Sequence, residues 1–191
     1  PDGSLSEWDG DEPVYKDEKT RVYVKTDEGY LYLMVKLVGT ASPEECHLYL
    51  PISLGGNGSI FAGREALIFS DPADFLLELN GKKETRLLTD AYNDLFYYQY
   101  AVEKNLFERQ KENEKKNSGV YNQIRQFLSN EIVLPLSGKT YEPKAYESGL
   151  LRYGNGNPDS SGYDSLADFC YGDNAIEIRL SLIHISEPTR L

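Results

Sequence analysis

Residues 21–37 read RVYVKTDEGYLYLMVKL, and they carry the clearest structural signal in the chain. On both sides of residues 27–29 (DEG), apolar side chains alternate with polar or aromatic ones, which is typical of half-buried β-strands. The glycine tolerates a positive φ angle and so favours a tight turn. We therefore predict an antiparallel hairpin of residues 21–26 and 30–37. The residues expected on its inward face are Leu31, Leu33, Val35 and Leu37.

Similar patterns recur along the chain. The further segments that predict strands are 47–53, 74–79, 86–89, 149–153, 168–171 and 175–179. The dipeptide Asn80-Gly81 is a strong hairpin signal between two of them. Because the hairpins follow one another without intervening helices, we predict a mostly β fold, an antiparallel β-sandwich.

One segment departs from this pattern. Residues 91–130 combine an aromatic stretch with a heavily charged run, and we interpret them as a partly helical insertion. Residues 121–128 place Ile124, Phe127 and Leu128 at helical spacing, which predicts a short helix there. The charged run is expected on a solvated tip.

Composition narrows the class of partner. The 191 residues carry a net charge of -11, and nucleic acids and anionic lipids are bound mainly through Lys and Arg, so neither is expected as a partner. No apolar run approaches bilayer length, and we expect no membrane insertion.

The last residues stand apart from the rest. Leu180–Arg190 read LSLIHISEPTR, which resembles the translation of a transposase adapter used in sequencing libraries. We therefore treat residues 180–191 as non-native and expect a single module over residues 1–179, truncated at its C-terminus. The chain also lacks an initiator Met, and we expect it to be a fragment of a longer protein.

Catalytic chemistry has little support in the sequence. His47 is the one histidine outside the adapter-like segment, and it is expected to face outward, so a Ser-His-Asp or Cys-His arrangement has little to build on. No phosphate-binding loop occurs. We predict that this chain is not an enzyme. Cys46 and Cys170 either pair or remain free thiols, and spacing does not decide between them.

An aromatic cluster is the first candidate site. Its members are Tyr92, Phe96, Tyr97, Tyr98 and Tyr100. Exposed rings stack on the apolar faces of sugars, which predicts a carbohydrate platform formed by Phe96, Tyr97, Tyr98 and Tyr100. The alternative is that these rings anchor the insertion onto the sheet, because large aromatic side chains are mostly buried.

An oxygen-rich loop is the second candidate. Residues 155–164 read NGNPDSSGYD, and Asp159 and Asp164 are candidate ligands of a structural calcium ion. The alternative is a turn-rich connection whose polar side chains cap their own backbone. Apart from this calcium, no cofactor is expected.

Three segments together resemble a known family. Residues 2–8 (DGSLSEW), the hairpin with YLYL at residues 30–33, and residues 175–180 (AIEIRL) resemble the family-nine carbohydrate-binding modules and their DOMON-like relatives. The resemblance implies a β-sandwich in which Trp8 is structural. It also implies an extracellular or cell-surface location, attachment to carbohydrate-active enzymes and, in some members, calcium.

These observations predict a non-catalytic, carbohydrate-binding-like accessory module of a larger bacterial extracytoplasmic protein. Its expected partners are a glycan and the catalytic domain of the same parent chain. The alternative is a structural β-sandwich domain that packs against a neighbouring catalytic domain and completes it without binding sugar itself.

Overall fold

The structure is a computed structural model that describes residues 1–39, 42–55 and 57–182. The fold is mostly β, with several antiparallel sheets in a sandwich-like arrangement and only short helical segments. The predicted fold class is therefore confirmed. Most of the adapter-like segment, including His184, lies outside the described residues.

In chain order, the strands of the described residues are β1 (Tyr15–Lys16), β2 (Thr20–Thr26), β3 (Tyr30–Leu37), β4 (His47–Ile52), β5 (Ser59–Ala62), β6 (Leu67–Ala73), β7 (Phe75–Asn80), β8 (Arg86–Asp90), β9 (Tyr121–Gln123), β10 (Arg125–Ser129), β11 (Ile132–Val133), β12 (Thr140–Tyr141), β13 (Lys144–Glu147), β14 (Phe169–Tyr171) and β15 (Ala175–Ser181). The helical segments are 3-10 turns at Ser6–Trp8, Pro43–Glu45 and Ala91–Asn93, a π-helical turn at Leu95–Gln99, and the short helices α1 (Gly81–Glu84) and α2 (Tyr100–Glu103).

The strands form two larger sheets and three strand pairs. The sheet orders are β1-β2-β3-β15-β14 and β4-β7-β8-β9, and the pairs are β5-β6, β10-β13 and β11-β12. The chain divides into two compact units. Unit 1 comprises Pro1–Leu48, Glu78–Thr85 and Leu151–Leu191, and unit 2 comprises Tyr49–Leu77 and Arg86–Leu150. The single module over residues 1–179 stays a prediction.

The five-stranded sheet of unit 1 contains the predicted hairpin. β2 and β3 pair antiparallel, and β15 pairs with the other edge of β3 so that Ile176 lies opposite Val35 and Ile178 opposite Leu33. All four side chains are buried and share one face, because residues two apart in a strand point the same way. β15 continues past Arg179, and Leu180 is buried on the same face.

The opposite face of this sheet binds the N-terminal segment through one buried carboxylate. Glu177, which is 5% exposed, accepts hydrogen bonds from the backbone N–H of Asp2 at 2.7 Å and of Gly3 at 3.1 Å. It also accepts one from Trp8 Nε1 at 3.4 Å. A buried carboxylate is tolerated only with such donors. Trp8 is 5% exposed and packs with Met34 and Ala175, and is thus a structural residue.

Two glycines allow the N-terminal segment to approach β14 closely. Gly3 has a φ of 79°, and a Cβ atom on it would lie 2.8 Å from the carbonyl oxygen of Tyr171. A Cβ atom on Gly172 would lie 2.4 Å from the carbonyl oxygen of Gly3. Any larger residue at either position would separate the two backbones.

Three local expectations were wrong. Residues 121–128 form β9 and most of β10 instead of a helix, because β8 and β13 supply backbone partners that local spacing does not reveal. Residues 149–153 make only isolated bridges. The turn after Asn80 contains α1 and is longer than the expected two-residue hairpin turn, with Thr85 Oγ1 accepting from Asn80 N at 3.0 Å.

Two further expectations concern the cysteines and the membrane. Cys46 and Cys170 are free thiols, the first half-buried and the second buried. In the part of the chain that the structure describes, no helix is long and apolar enough to cross a membrane.

We predict that Glu177→Ala lowers the free energy of unfolding by about 3 kcal/mol, because several buried donors lose a charged acceptor at once. Relief of repulsion between Glu177 and the nearby Asp2 and Glu7 opposes this loss but is smaller, since those two carboxylates are less buried. Urea unfolding measures the change, with the exposed Glu18→Ala as the matched control. Equal stability of the two variants would contradict the anchoring role of Glu177.

Candidate functional site

The candidate site lies in unit 2, where a long segment leaves the sheet and returns to it. β8 and β9 are antiparallel neighbours, with Leu88 opposite Gln123 and Asp90 opposite Tyr121. The segment between them therefore begins and ends at adjacent positions and comprises residues 91–120, to which the name insertion is restricted from here on. Residues 121–129 of the predicted insertion of 91–130 lie in or between β9 and β10. The helical part of the predicted insertion lies within its first half, at residues 91–103.

A buried carboxylate closes the two ends of the insertion. Asp90 Oδ2 accepts a hydrogen bond from Ser59 Oγ at 2.6 Å, and Ser59 Oγ accepts one from the backbone N–H of Gly119 at 3.0 Å. Asp90 Oδ1 accepts from Tyr92 N at 3.1 Å. Burial raises the pKa of Asp90, and the hydrogen bond from Ser59 opposes that rise. The network joins the start and the end of the insertion to β5.

A second buried carboxylate folds the insertion back onto β9. Asp94 accepts hydrogen bonds from the backbone N–H of Tyr97 at 3.2 Å and of Tyr98 at 3.5 Å, which are free at the start of the π-helical turn. Its other oxygen accepts from Asn122 Nδ2 at 2.9 Å. Burial raises the pKa of Asp94, and the hydrogen bond from Asn122 opposes that rise.

A pocket of about 240 Å³ lies between the insertion and strands β9 and β10. The insertion and the strands both line it. The lining residues are Asp94, Tyr97, Tyr98, Phe107, Gln110, Asn113, Asn122, Gln123 and Arg125.

Aromatic rings form the apolar part of the wall. Tyr97 stacks on Phe127 with ring centres 4.8 Å apart and planes 18° apart, and meets Phe107 edge-on at 5.0 Å. Tyr98 is 6% exposed, and its hydroxyl donates to the carbonyl oxygen of Gln110 at 3.0 Å. The rings thus hold the insertion on β10 and shape the pocket at the same time.

The structure places two of the four predicted sugar-binding residues in the pocket wall. Tyr97 and Tyr98 line the pocket, whereas Tyr100 packs on Phe127 at 5.5 Å and donates to Asn130 Oδ1 at 3.5 Å outside it. The side chain of Phe96 lies outside the described part of the chain.

Sequence reasoning missed the polar half of the pocket. Asn122, Gln123 and Arg125 lie on the strands that were expected to be a helix, and Gln110 and Asn113 lie in the charged run that was interpreted as a solvated tip. Asn113 is in fact buried. The amide-rich composition of residues 110–123 was the available signal.

The lining suits recognition of a small polar molecule. Each amide side chain both donates and accepts hydrogen bonds, while the aromatic rings offer apolar contact area. The described lining holds no His, Cys or Ser to serve as a nucleophile or its base. His47, which was expected to face outward, is exposed at the start of β4, with Nε2 3.0 Å from Glu78 Oε1.

The predicted calcium loop is held by its own hydrogen bonds. Asp164 forms an ion pair with Arg152 and accepts from the backbone N–H of Leu166 at 3.0 Å. The bond from Leu166 is the largest cause that lowers the pKa of Asp164. Asp159 is exposed, and its backbone N–H donates to Asn157 Oδ1 at 2.9 Å. Calcium bound by Asp159 and Asp164 stays a prediction.

A carboxylate cluster occurs elsewhere, in unit 1. Among the described residues, Asp2, Glu7 and Glu177 bring one carboxylate oxygen each within 4.8 Å of the others. Burial raises the pKa of Glu7, and the charge of Glu177 adds to that rise. Since Glu177 is already bound by the N-terminal segment, the cluster has a structural role.

We predict that Tyr97→Ala lowers the free energy of unfolding by about 2 kcal/mol, because the Tyr97 ring packs on Phe127 and Phe107. Tyr97→Phe keeps the ring and should unfold as the wild type does. Tyr146→Ala is the control, because it removes an exposed tyrosine from β13, the strand that pairs with β10. Thermal unfolding of the three variants checks this, and a Tyr97→Ala melt equal to that of Tyr146→Ala would contradict it.

Comparison of this chain with protein-family models, curated proteins and solved structures finds no match in any of the three.

Proposed function

We propose that the protein is a non-catalytic carbohydrate-binding module whose glycan site is the pocket between the insertion and strands β9 and β10. The observation that carries this proposal is the composition of the pocket wall. Aromatic rings and amide side chains meet there within about 240 Å³. The resemblance of the N-terminal and final strands to carbohydrate-binding modules supports the same function.

The chemistry of the wall matches the chemistry of a sugar ring. A sugar presents C–H groups on its faces and hydroxyl groups around its edge. The rings of Tyr97 and Phe107 offer apolar area for the faces. Gln110 and Gln123 line the pocket, and the amide group of a glutamine can donate to or accept from hydroxyls. Such a mixture of apolar wall and few polar groups is typical of small-molecule sites.

The size of the pocket limits the ligand. Pockets for drug-sized ligands have volumes of roughly 300–1,000 Å³, and about 240 Å³ lies below that range. The pocket therefore suits one sugar unit, as the end or a side branch of a glycan. The extracellular or cell-surface location, and the attachment to a carbohydrate-active parent protein, rest on the resemblance.

We predict that the protein binds glycans on an array and that Gln110→Ala and Gln123→Ala each weaken binding roughly tenfold, since each removes a polar contact of the site. Gln126→Ala is the matched control, because Gln126 is an exposed glutamine on β10 that does not line the pocket. Isothermal titration with the array-selected glycan measures the affinities. Absence of any glycan binding, or equal loss in all three variants, would overturn the proposal.

A surface in unit 2 favours the second candidate function, a structural domain that packs against a catalytic domain. The residues of this surface, here called the apolar arm, are exposed and lie on or between strands β10 to β13. They are Leu128, Ile132, Val133, Leu134, Leu136, Tyr141 and Tyr146. Leu136 is 104% exposed and Leu128 69% exposed. Large apolar patches on a protein surface mark interaction sites, and these seven exposed side chains within residues 128–146 are candidates for one.

We predict that the triple variant Leu128→Gln, Leu136→Gln, Tyr146→Gln melts as the wild type does but binds less of a fluorescent hydrophobic dye, because these side chains contribute no buried core. Dye titration and light scattering on both proteins check this. A large fall in melting temperature would show that the apolar arm stabilises this chain itself, and the second candidate would lose its support.

A further inference from the structure

One charged group in the pocket forms no ion pair with any residue that the structure describes. Arg125 is the single cation among the described residues that line the pocket. It is half-buried, and its guanidinium carbon lies 5.5 Å from the centre of the Tyr97 ring. The ring supports the guanidinium plane from one side.

Other arginines of unit 2 form ion pairs with carboxylates. Arg86 pairs with Glu147 at 2.9 Å, and Arg109 pairs with Glu114 at 3.0 Å. Arg125 forms no ion pair within the described ranges. Arg21 and Arg179 of unit 1 form none either among the described residues, so the interest of Arg125 lies in its place in the pocket wall.

Two carboxylates, one opposite Arg125 on β13 and one in the pocket wall, already have other partners. Glu147 is the cross-strand neighbour of Arg125, but its carboxylate pairs with Arg86. Asp94 also lines the pocket, but it accepts two backbone hydrogen bonds and one from Asn122. Neither forms an ion pair with Arg125 in the described part of the chain.

The guanidinium therefore keeps most of its donors for a ligand. A guanidinium carries five N–H donors in a planar fork. Arg125 uses one of its terminal nitrogens to donate to Gln123 Oε1, and this is its one hydrogen bond to a described residue. A planar fork matches a carboxylate in two parallel hydrogen bonds, and a half-buried pair of this kind is stronger than a neutral contact.

We propose that the pocket selects an acidic sugar, a hexuronic acid whose carboxylate pairs with Arg125 while the ring contacts the aromatic wall. This inference rests on the proposed carbohydrate-binding function and specifies its ligand class. The Asp94 carboxylate in the same wall and the excess of negative charge on the chain both oppose an anionic ligand, so the selection depends on the short-range pairing with Arg125.

The test compares matched sugars that differ in charge. Wild-type protein is titrated with D-galacturonate, D-glucuronate, their neutral methyl esters, D-galactose, D-glucose and D-glucose 6-sulfate, and binding is followed by NMR or calorimetry. We expect the uronate to bind roughly tenfold to a hundredfold more tightly than its methyl ester, because the ester cannot form a charged hydrogen-bonded pair with Arg125. Arg125→Gln should abolish this difference, and Arg125→Lys should retain only part of it because lysine lacks the fork.

The control variant is Arg109→Gln, which removes an exposed arginine of the insertion that does not line the pocket and should keep the preference for the uronate. If Arg125→Gln does not fold, the comparison of acid with methyl ester on the wild type still decides the question. Equal binding of neutral and acidic sugars would overturn this inference and leave the carbohydrate-binding function standing. Tighter binding of the sulfate would overturn the carboxylate assignment. Failure of every sugar, together with a negative array, would overturn the carbohydrate-binding function itself.

Discussion

The pocket in unit 2 depends on one constraint, that both ends of the insertion are fixed to adjacent strands. Closing a segment of this length costs entropy, although the cost grows only slowly with length. The buried Asp90 offsets this cost by collecting hydrogen bonds from Ser59 and from the start of the insertion, and Ser59 in turn binds Gly119 at its end. Once the ends are fixed, Tyr98 and Ala101 are buried and the remaining residues fold back over β9 and β10.

Buried carboxylates organise each unit in the same way. Asp90 and Asp94 in unit 2, and Glu177 in unit 1, each accept backbone N–H groups that no strand or helix satisfies. A carboxylate accepts several hydrogen bonds at once, so one side chain can hold several segments. Part of the acidic character of this chain is therefore structural. The contrast with Arg125, a half-buried cation without a carboxylate partner in the described residues, gives that residue its functional interest.

The aromatic cluster shows why a structural and a functional interpretation need not compete. Tyr97 anchors the insertion by stacking on Phe127, and it also lines the pocket beside Arg125. A ring held rigidly by its neighbours loses little entropy when a ligand arrives, which is the physical advantage of a preorganised site. The fold by itself does not imply the function, because similar sheets carry many different sites. The function proposed for this chain rests on the pocket wall.

The sequence by itself determined the features that arise from local alternation and turns. The hairpin of β2 and β3 and the last strand β15 were predictable, because period-two spacing and glycine turns act within a few residues. The aromatic half of the pocket was also visible, since Tyr97 and Tyr98 are neighbours in the chain. Only the tertiary structure decided that residues 121–129 are strands and that Arg125 faces the insertion. Their backbone partners lie on β8 and β13, and no short-range pattern records a hydrogen bond to a strand that is distant in sequence.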